Sequence, residues 1–511
     1  MRYITFYLLF SIFLSISLFA LPQAIEKEIR NAGLSKKDVS IYIKEVGKNG
    51  KTIASLNRNT MRIPASVIKV LTTYASVLKL GFNYRWKTRF YTKGVVKNGI
   101  LNGDLVVKGF GDPTLGDRDL KKIVTRIKRY KIKHIKGNII IDRTYFNVST
   151  KNNSGFDKNL YSAYNAMPDA MMFNERISKV YLNPRTGKIR KKHGDNSYDV
   201  INRLKMVNRS CRGKYSWVGV KIENRKKPTM ILQGSLSKKC KTQVISKVIT
   251  KPYKSFYYAL KNALKKSGVK VDGTLKVRKT PKGSKPLFIH YSQTLEKIIS
   301  KTAKKSNNLY ARHILLLLGS KIYGSPATIE KGRKAVNYIL QINGALNNKL
   351  PKIDNGCGLS RKSKLSAKMM AIMLDDAYSR HGKRWMNTLS IAGVDGTIKR
   401  RFRGSVVQNR AWMKTGTVNR VKNISGYVKD KSGKLYIVVI LVNSKKSRYG
   451  GARLQNRVIK WLVNGRKVVH KVVKKQKIKK AKVNKPRVKI IRPHRHIVKK
   501  PRRQPTIREL F

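Results

Sequence analysis

Ser66 and Lys69 stand three residues apart, and far downstream Ser306, Asn308 and the run Lys414-Thr415-Gly416-Thr417 follow in that order. Such a set supplies a nucleophilic hydroxyl, an amine base, a second hydroxyl able to relay a proton, and a cationic strand that can hold a carboxylate. This is the equipment for acyl transfer through a serine ester.

Each pattern is weak alone, because Ser-x-x-Lys also begins at Ser76, Ser235 and Ser267, Ser-x-Asn at Ser55, and Lys-Ser-Gly at Lys266 and Lys431. Context selects among them. Ser66 follows Pro64-Ala65 and opens the run Val67, Ile68, Val70, Leu71, Tyr74, Ala75, Val77, Leu78, whose spacing predicts a buried helix that stops at Gly81. Ser66 is expected in the first turn of that helix, with Lys69 one turn above it on the same face. Ser76 begins the last turn, where no N-terminal amides converge. A lysine serves as a base only if its pKa falls from about 10.4, which burial or a second cation achieves. Lys414 is the candidate second cation.

The elements that must position the other groups are also legible. Leu295 to Lys305 reads as a helix, Ser306-Asn307-Asn308 as a polar corner, and the apolar run Ile314 to Leu318 as part of the next helix. At that corner Ser306 is placed to pass a proton to a leaving amine, and Asn308 to hydrogen-bond substrate and Lys69; a helix N-cap is the plainer role for such residues. Val406 to Thr417, Ile424 to Val428 and Leu435 to Val442 read as antiparallel strands. An edge strand there lets a peptide align by β-addition, with Lys414, Thr415 and Thr417 aimed at its terminal carboxylate.

Taken together, these residues resemble the low-molecular-mass class C penicillin-binding proteins, serine D-alanyl-D-alanine carboxypeptidase/endopeptidases of the penicillin-binding protein 4 type. The resemblance extends through Asn102-Gly103-Asp104 to Leu115, Phe173-Asn174-Glu175, Asp354-Asn355-Gly356-Cys357-Gly358-Leu359-Ser360-Arg361 and Ile391 to Thr397. It implies an α+β fold: a penicillin-binding, β-lactamase-like transpeptidase domain, an antiparallel sheet with helices, interrupted by inserted β-rich domains. It also implies that Ser66 is acylated, Lys69 is its base, Ser306 and Asn308 assist, and Lys414, Thr415, Gly416 and Thr417 bind substrate. The backbone amides of Ser66 and Thr417 would form the oxyanion hole. Peptidoglycan stem peptides are the implied substrate, β-lactams the implied inhibitors, and no cofactor is implied. Two positions depart from the family pattern. Asn307 stands where aspartate is usual, with its side chain expected away from the cleft, and Cys357 stands where serine is frequent, read as a buried thiol. A serine β-lactamase is the neighbouring alternative; a non-catalytic basic protein that binds cell wall or nucleic acid is the distant one.

About 240 residues separate Ser66 from Ser306, too many for a simple connection. Short β-rich patterns such as Ile139 to Asp142, Trp217 to Ile222 and Met230 to Leu232 fill the gap, and Tyr253 to Lys265 has helical spacing. The expected division is a signal peptide at 1–24, a peptidase domain at 25–91 and 288–465, inserted domains at 92–287, and a basic tail at 466–511. Gly109-Phe110-Gly111 lacks the later glycine of a dinucleotide fingerprint, and no convincing helix is expected after it.

Arg2, the apolar run Ile4 to Leu18 and the small residues Ala20 and Ala24 have the layout of a secretory signal peptide, with an uncleaved anchor as the competing reading. Export to the periplasm follows from the first. In an oxidising compartment Cys211 and Cys240 can pair, leaving Cys357 free. The 115 basic and 24 acidic residues give a formal charge of +91, which draws the surface to polyanions. From Arg466 onward Glu509 is the only acid, and Pro486, Pro493, Pro501 and Pro505 interrupt any long helix, so the tail is expected to be disordered and to tether the protein to an anionic wall or membrane surface. No specific nucleic acid is expected. His134, His193, His290, His313 and His381 lack ligand spacing, and no metal site is expected.

Overall fold

The structure, a computed structural model, describes residues 21–466 apart from 149, 150, 152, 282 and 348. The expected signal peptide up to residue 20 and the basic tail from 467 lie outside the described residues.

Strands β1 (Val39–Glu45), β2 (Thr52–Leu56), β3 (Ser390–Ile391), β4 (Ala411–Val418), β5 (Val421–Lys429) and β6 (Leu435–Asn443) form one antiparallel sheet in the order β3-β4-β5-β6-β1-β2. β6 is apolar on both faces, and its period of two sends alternate side chains into two different cores. Val438, Ile440 and Val442 meet Ile25 and Ile29 of helix α1 (Gln23–Asn31) and Leu454, Val458 and Leu462 of the last described helix, Ser447–Val463. Ile437, Val439 and Leu441 join the other core with helices α2 (Lys69–Leu80), α3 (Leu295–Lys304), α4 (Asn308–Tyr323), α5 (Ile329–Ile342) and α6 (Ala367–Met386). Helix α4 is buried from Asn308 to Gly319, so it runs through the middle of this layer. Its buried stretch holds Arg312 and His313 as well as the apolar run Ile314 to Leu318, so no side of it is left to solvent over that length.

Between α2 and α3 the chain builds a second, mixed sheet of seven strands. Its bracketing strands, Arg85–Lys97 and Phe288–Thr294, pair with each other, so the sheet begins ahead of residue 92 and ends after 287. Helices Asp117–Arg129 and Pro252–Lys266 pack on it through Leu120, Ile123, Ile127, Phe256, Leu260 and Leu264. The second of these matches the helical spacing read from Tyr253 to Lys265. The first corrects the expectation that no helix follows Gly109 to Gly111: its apolar residues keep helical spacing, after a turn through Pro113 to Gly116. Two further three-stranded sheets lie at 178–247, and Cys211 is bonded to Cys240 just beyond the ends of the neighbouring parallel strands Asp199–Val207 and Thr229–Ser237 of one of them. Cys357 is a free, buried thiol.

Candidate active site

Ala65–Ile68 forms a 3-10 turn that passes into α2 at Lys69. Ser66 therefore sits on the turn that leads into the helix, one step earlier than the spacing predicts. The tighter winding eclipses side chains three residues apart. Lys69 Nζ accordingly lies 2.7 Å from Ser66 Oγ. The competing Ser76 is buried in the helix with its hydroxyl donating to the Thr73 carbonyl at 2.6 Å.

Lys69 has two other partners, and both are obligate acceptors: Asn308 Oδ1 at 2.7 Å and the Cys357 carbonyl at 2.6 Å. An ammonium has three donors, whereas a neutral amine has two N–H groups and a lone pair. As an ammonium Lys69 donates to all three partners; once neutral, with its N–H groups on Asn308 and Cys357, it would turn its lone pair to the Ser66 hydroxyl. Burial is the main reason why the Lys69 pKa drops to about 8; Cys357 opposes the fall and the charge of Arg312 adds to it.

Ser306 joins α3 to α4 in a left-handed conformation, with φ of 52°. Its hydroxyl accepts from Lys414 Nζ at 3.0 Å. The capping role falls to its neighbour: Asn307 Oδ1 accepts the Tyr310 amide at 3.1 Å and starts α4. Asn308 is then the first helical residue, and its Nδ2 donates to the Tyr164 carbonyl at 3.0 Å.

Lys414 is wholly buried on β4, and its amine also donates to the Thr415 carbonyl at 2.6 Å. Burial first, then the positive charge of Lys69, lowers its pKa well below that of a free lysine. Among the described residues no carboxylate bonds to either lysine. Gly416 lets β4 pass against the Ser66 turn, since a Cβ there would fall 2.7 Å from the Pro64 carbonyl and 3.0 Å from the Ser66 amide nitrogen. Thr415 Oγ1 donates to Thr397 Oγ1 at 2.9 Å, and Thr417 is exposed beyond Gly416. β3 pairs only with Trp412 and Met413, so from Lys414 to Val418 the outer edge of β4 has no strand partner among the described residues.

The fold thus brings together two hydrogen-bonded groups, Ser66 and Asn308 on Lys69, and Ser306 on Lys414, with the charge of Lys69 felt at Lys414 and with Thr415, Gly416 and Thr417 on the same strand as Lys414. Two contributors were not read from the sequence: the Cys357 and Tyr164 carbonyls. A backbone acceptor leaves no residue-type signal. The glycines flanking Cys357, at φ of 68° and 80°, were the available hint; Gly358 is forced by the Ala65 carbonyl, 2.0 Å from where its Cβ would lie.

An antiparallel sheet with helices on both faces and a serine–lysine pair at a helix entrance fits the class of serine hydrolases that work through an acyl-enzyme. The family model for D-Ala-D-Ala carboxypeptidase 3 (S13) matches residues 21–464, and the chain belongs to that family of peptidases. It is 26% identical over 415 residues to the D-alanyl-D-alanine carboxypeptidase DacB of Haemophilus influenzae, covering 80% of this chain and 85% of that one. The crystal structure of penicillin binding protein 4 from the same organism superposes with a TM-score of 0.72 at 24% identity, over 86% of this chain and 99% of that one. The β-lactam complex of that protein matches with a TM-score of 0.67 at 24% identity, over 83% and 96% of the two chains.

Proposed function

We propose that the chain cleaves D-alanyl-D-alanine peptide bonds of peptidoglycan stems or cross-links through an ester on Ser66. The observation that carries this reading is the position of Lys69 Nζ, 2.7 Å from Ser66 Oγ with its other two partners, Asn308 Oδ1 and the Cys357 carbonyl, both acceptors, so that on losing a proton its lone pair is left for the Ser66 hydroxyl. Ser66 Oγ attacks the carbonyl as Lys69 takes its proton. The tetrahedral oxyanion is held by the amides of Ser66 and Thr417, donors worth about 3 to 4 kcal/mol each where they fit the developing charge. Lys414 and Thr415 hold the substrate carboxylate. Ser306, bonded to Lys414, delivers a proton to the departing amine, and water then hydrolyses the ester with Lys69 again as base. The open edge of β4 supports alignment of the peptide as an added strand.

We place this activity in the periplasm, a reading supported by the apolar run Ile4 to Leu18 and by a Cys211–Cys240 bond suited to an oxidising compartment. The domain division is proposed as read from the sequence, with the insertion widened to its bracketing strands at 85–97 and 288–294.

Intact-mass analysis after penicillin treatment tests the assignment. Wild type is expected to gain one adduct and Ser66→Ala none. An adduct on both proteins, or on neither, overturns it.

A further inference from the structure

The corner that carries Ser306 is gripped from outside by a carboxylate of the insertion. Glu175 Oε1 accepts from Lys301 Nζ at 2.8 Å and from Tyr310 Oη at 2.8 Å, and its Oε2 accepts from Asn307 Nδ2 at 3.0 Å. Lys301 belongs to α3, Tyr310 to α4, and Asn307 to the corner between them, directly after Ser306. Lys301 also donates to Tyr310 Oη at 2.6 Å, which closes the group. Burial by itself would raise the Glu175 pKa; the bond and charge of Lys301, with Tyr310 and Asn307, outweigh that and hold it below the usual value.

The backbone that presents this carboxylate is unusual. Asn174, Glu175 and Arg176 are successive non-glycine residues at φ of 47°, 53° and 62°. Such conformations are sparsely populated and persist where the surroundings over-determine them. Here the Asn174 amide donates to the Leu115 carbonyl at 2.9 Å, Asn174 Nδ2 to Asp117 at 2.7 Å, and Arg176 to the Met167 carbonyl at 2.8 Å. The insertion therefore holds a strained turn in order, and the turn's one carboxylate is aimed at the relay corner.

We propose that Glu175 is a positioning residue: through it the insertion fixes the orientation of Ser306 and Asn308 and so sets the rate at which Ser66 is acylated. The proposal rests on the Ser66 assignment. Asn307 uses both ends of its amide, the oxygen to cap α4 and the nitrogen to reach Glu175. Aspartate caps a helix as well as asparagine does, but it has no donor for Glu175 and would set two negative charges at the 3.0 Å now spanned by a hydrogen bond. Asn307→Asp thus separates capping from coupling. Adding Glu175→Gln supplies an amide donor to the new carboxylate and restores the bond with its direction reversed, while the remaining oxygen still serves Lys301 and Tyr310.

The test is the second-order acylation constant with fluorescent penicillin, together with kcat and KM on a D-alanyl-D-alanine peptide and the thermal midpoint of each variant. Asn307→Asp is expected to slow acylation by about tenfold, within reach of a sub-ångström misplacement. The loss should fall on kcat more than on KM with the thermal midpoint little changed, and Glu175→Gln/Asn307→Asp should recover most of it. Acylation of Asn307→Asp at the wild-type rate, or a double variant no faster than Asn307→Asp, overturns the proposal. If Asn307→Asp fails to fold, Glu175→Gln alone decides, because it sets two amide donors against each other; a wild-type rate there is equally fatal. Loss of the wild-type adduct would defeat the Ser66 assignment, whereas normal wild-type acylation with indifferent variants defeats only this inference.

Discussion

Gly416→Ala probes how closely the cationic strand must approach the nucleophile. The added methyl would lie 2.7 Å from the Pro64 carbonyl oxygen and 3.0 Å from the amide nitrogens of Ser66 and Val67. Ordinary non-bonded separation is about 3.5 Å, so strand and turn must part by roughly half an ångström or more. Neither side yields easily. The turn is tied down by the Ile63 amide on Asn443 Oδ1 at 2.8 Å and by Asn423 Nδ2 on the Ile63 and Pro64 carbonyls at 2.9 Å, while β4 is paired with β5 from Ala411 to Val418. Overpacking of this kind costs about 1–3 kcal/mol of stability. The catalytic penalty should be larger, because the displaced atoms include the Ser66 amide and the strand that carries Thr417. A misplacement near 1 Å costs about 100-fold, so a decrease of about 10- to 100-fold in the acylation constant is expected. Stopped-flow acylation with a fluorescent penicillin, read beside the thermal midpoint, gives both numbers. Wild-type acylation by a folded Gly416→Ala protein would refute the close packing of β4 against the Ser66 turn and with it the shared oxyanion site.

Acylation should depend on pH through Lys69, whose pKa lies at about 8. The rate constant is expected to rise about tenfold per unit below that value and to level off above it, since only the neutral amine can accept the serine proton; a flat profile from about pH 6 to 9 would contradict the role of base. Stability carries the matching sign. Between about 8 and 10.5 the unfolded lysine holds a proton that the folded one has lost, so the thermal midpoint should gain from this group as pH rises through that window. For the basic tail, removal of residues 466–511 should weaken salt-sensitive retention on isolated sacculi and anionic vesicles. Equal, salt-insensitive binding with and without it removes the tethering role.

What the sequence made legible is the part of the site built from local spacing. Ser66 and Lys69 had to share a face because they stand three positions apart, close to one helical turn, and Val438 against Val439 had to face opposite cores because a strand alternates. Helix Asp117–Arg129 carries the same kind of signal in Leu120, Ile123, Val124 and Ile127, set among charged residues. The 3-10 winding at Ala65–Ile68 was not readable, because the same apolar residues suit an α-helix, and the close approach of Gly416 and Gly358 to this turn is a contact between segments far apart in sequence. Contacts across the insertion were invisible for a different reason. Glu175 reaches Asn307 over 132 positions, and Tyr164 reaches Asn308 over 144; no periodicity links residues that far apart.

The two lysines make most sense as a pair of unequal fate. Both are wholly buried, each touches one serine, and among the described residues neither has a carboxylate partner. Two adjacent ammonium groups in such a place would repel each other in a medium that screens poorly, which favours loss of at least one proton before substrate arrives. Under the proposed roles, the substrate brings the missing anion. Its terminal carboxylate lies against Lys414 and favours the charged form there, so the proton lost from the pair comes from Lys69, whose pKa burial already lowers. Binding would then allot the proton to the lysine that holds substrate and withhold it from the one that must act as base. The absence of a resident carboxylate is the condition for this, since an aspartate beside Lys69 would fix the proton on the wrong amine.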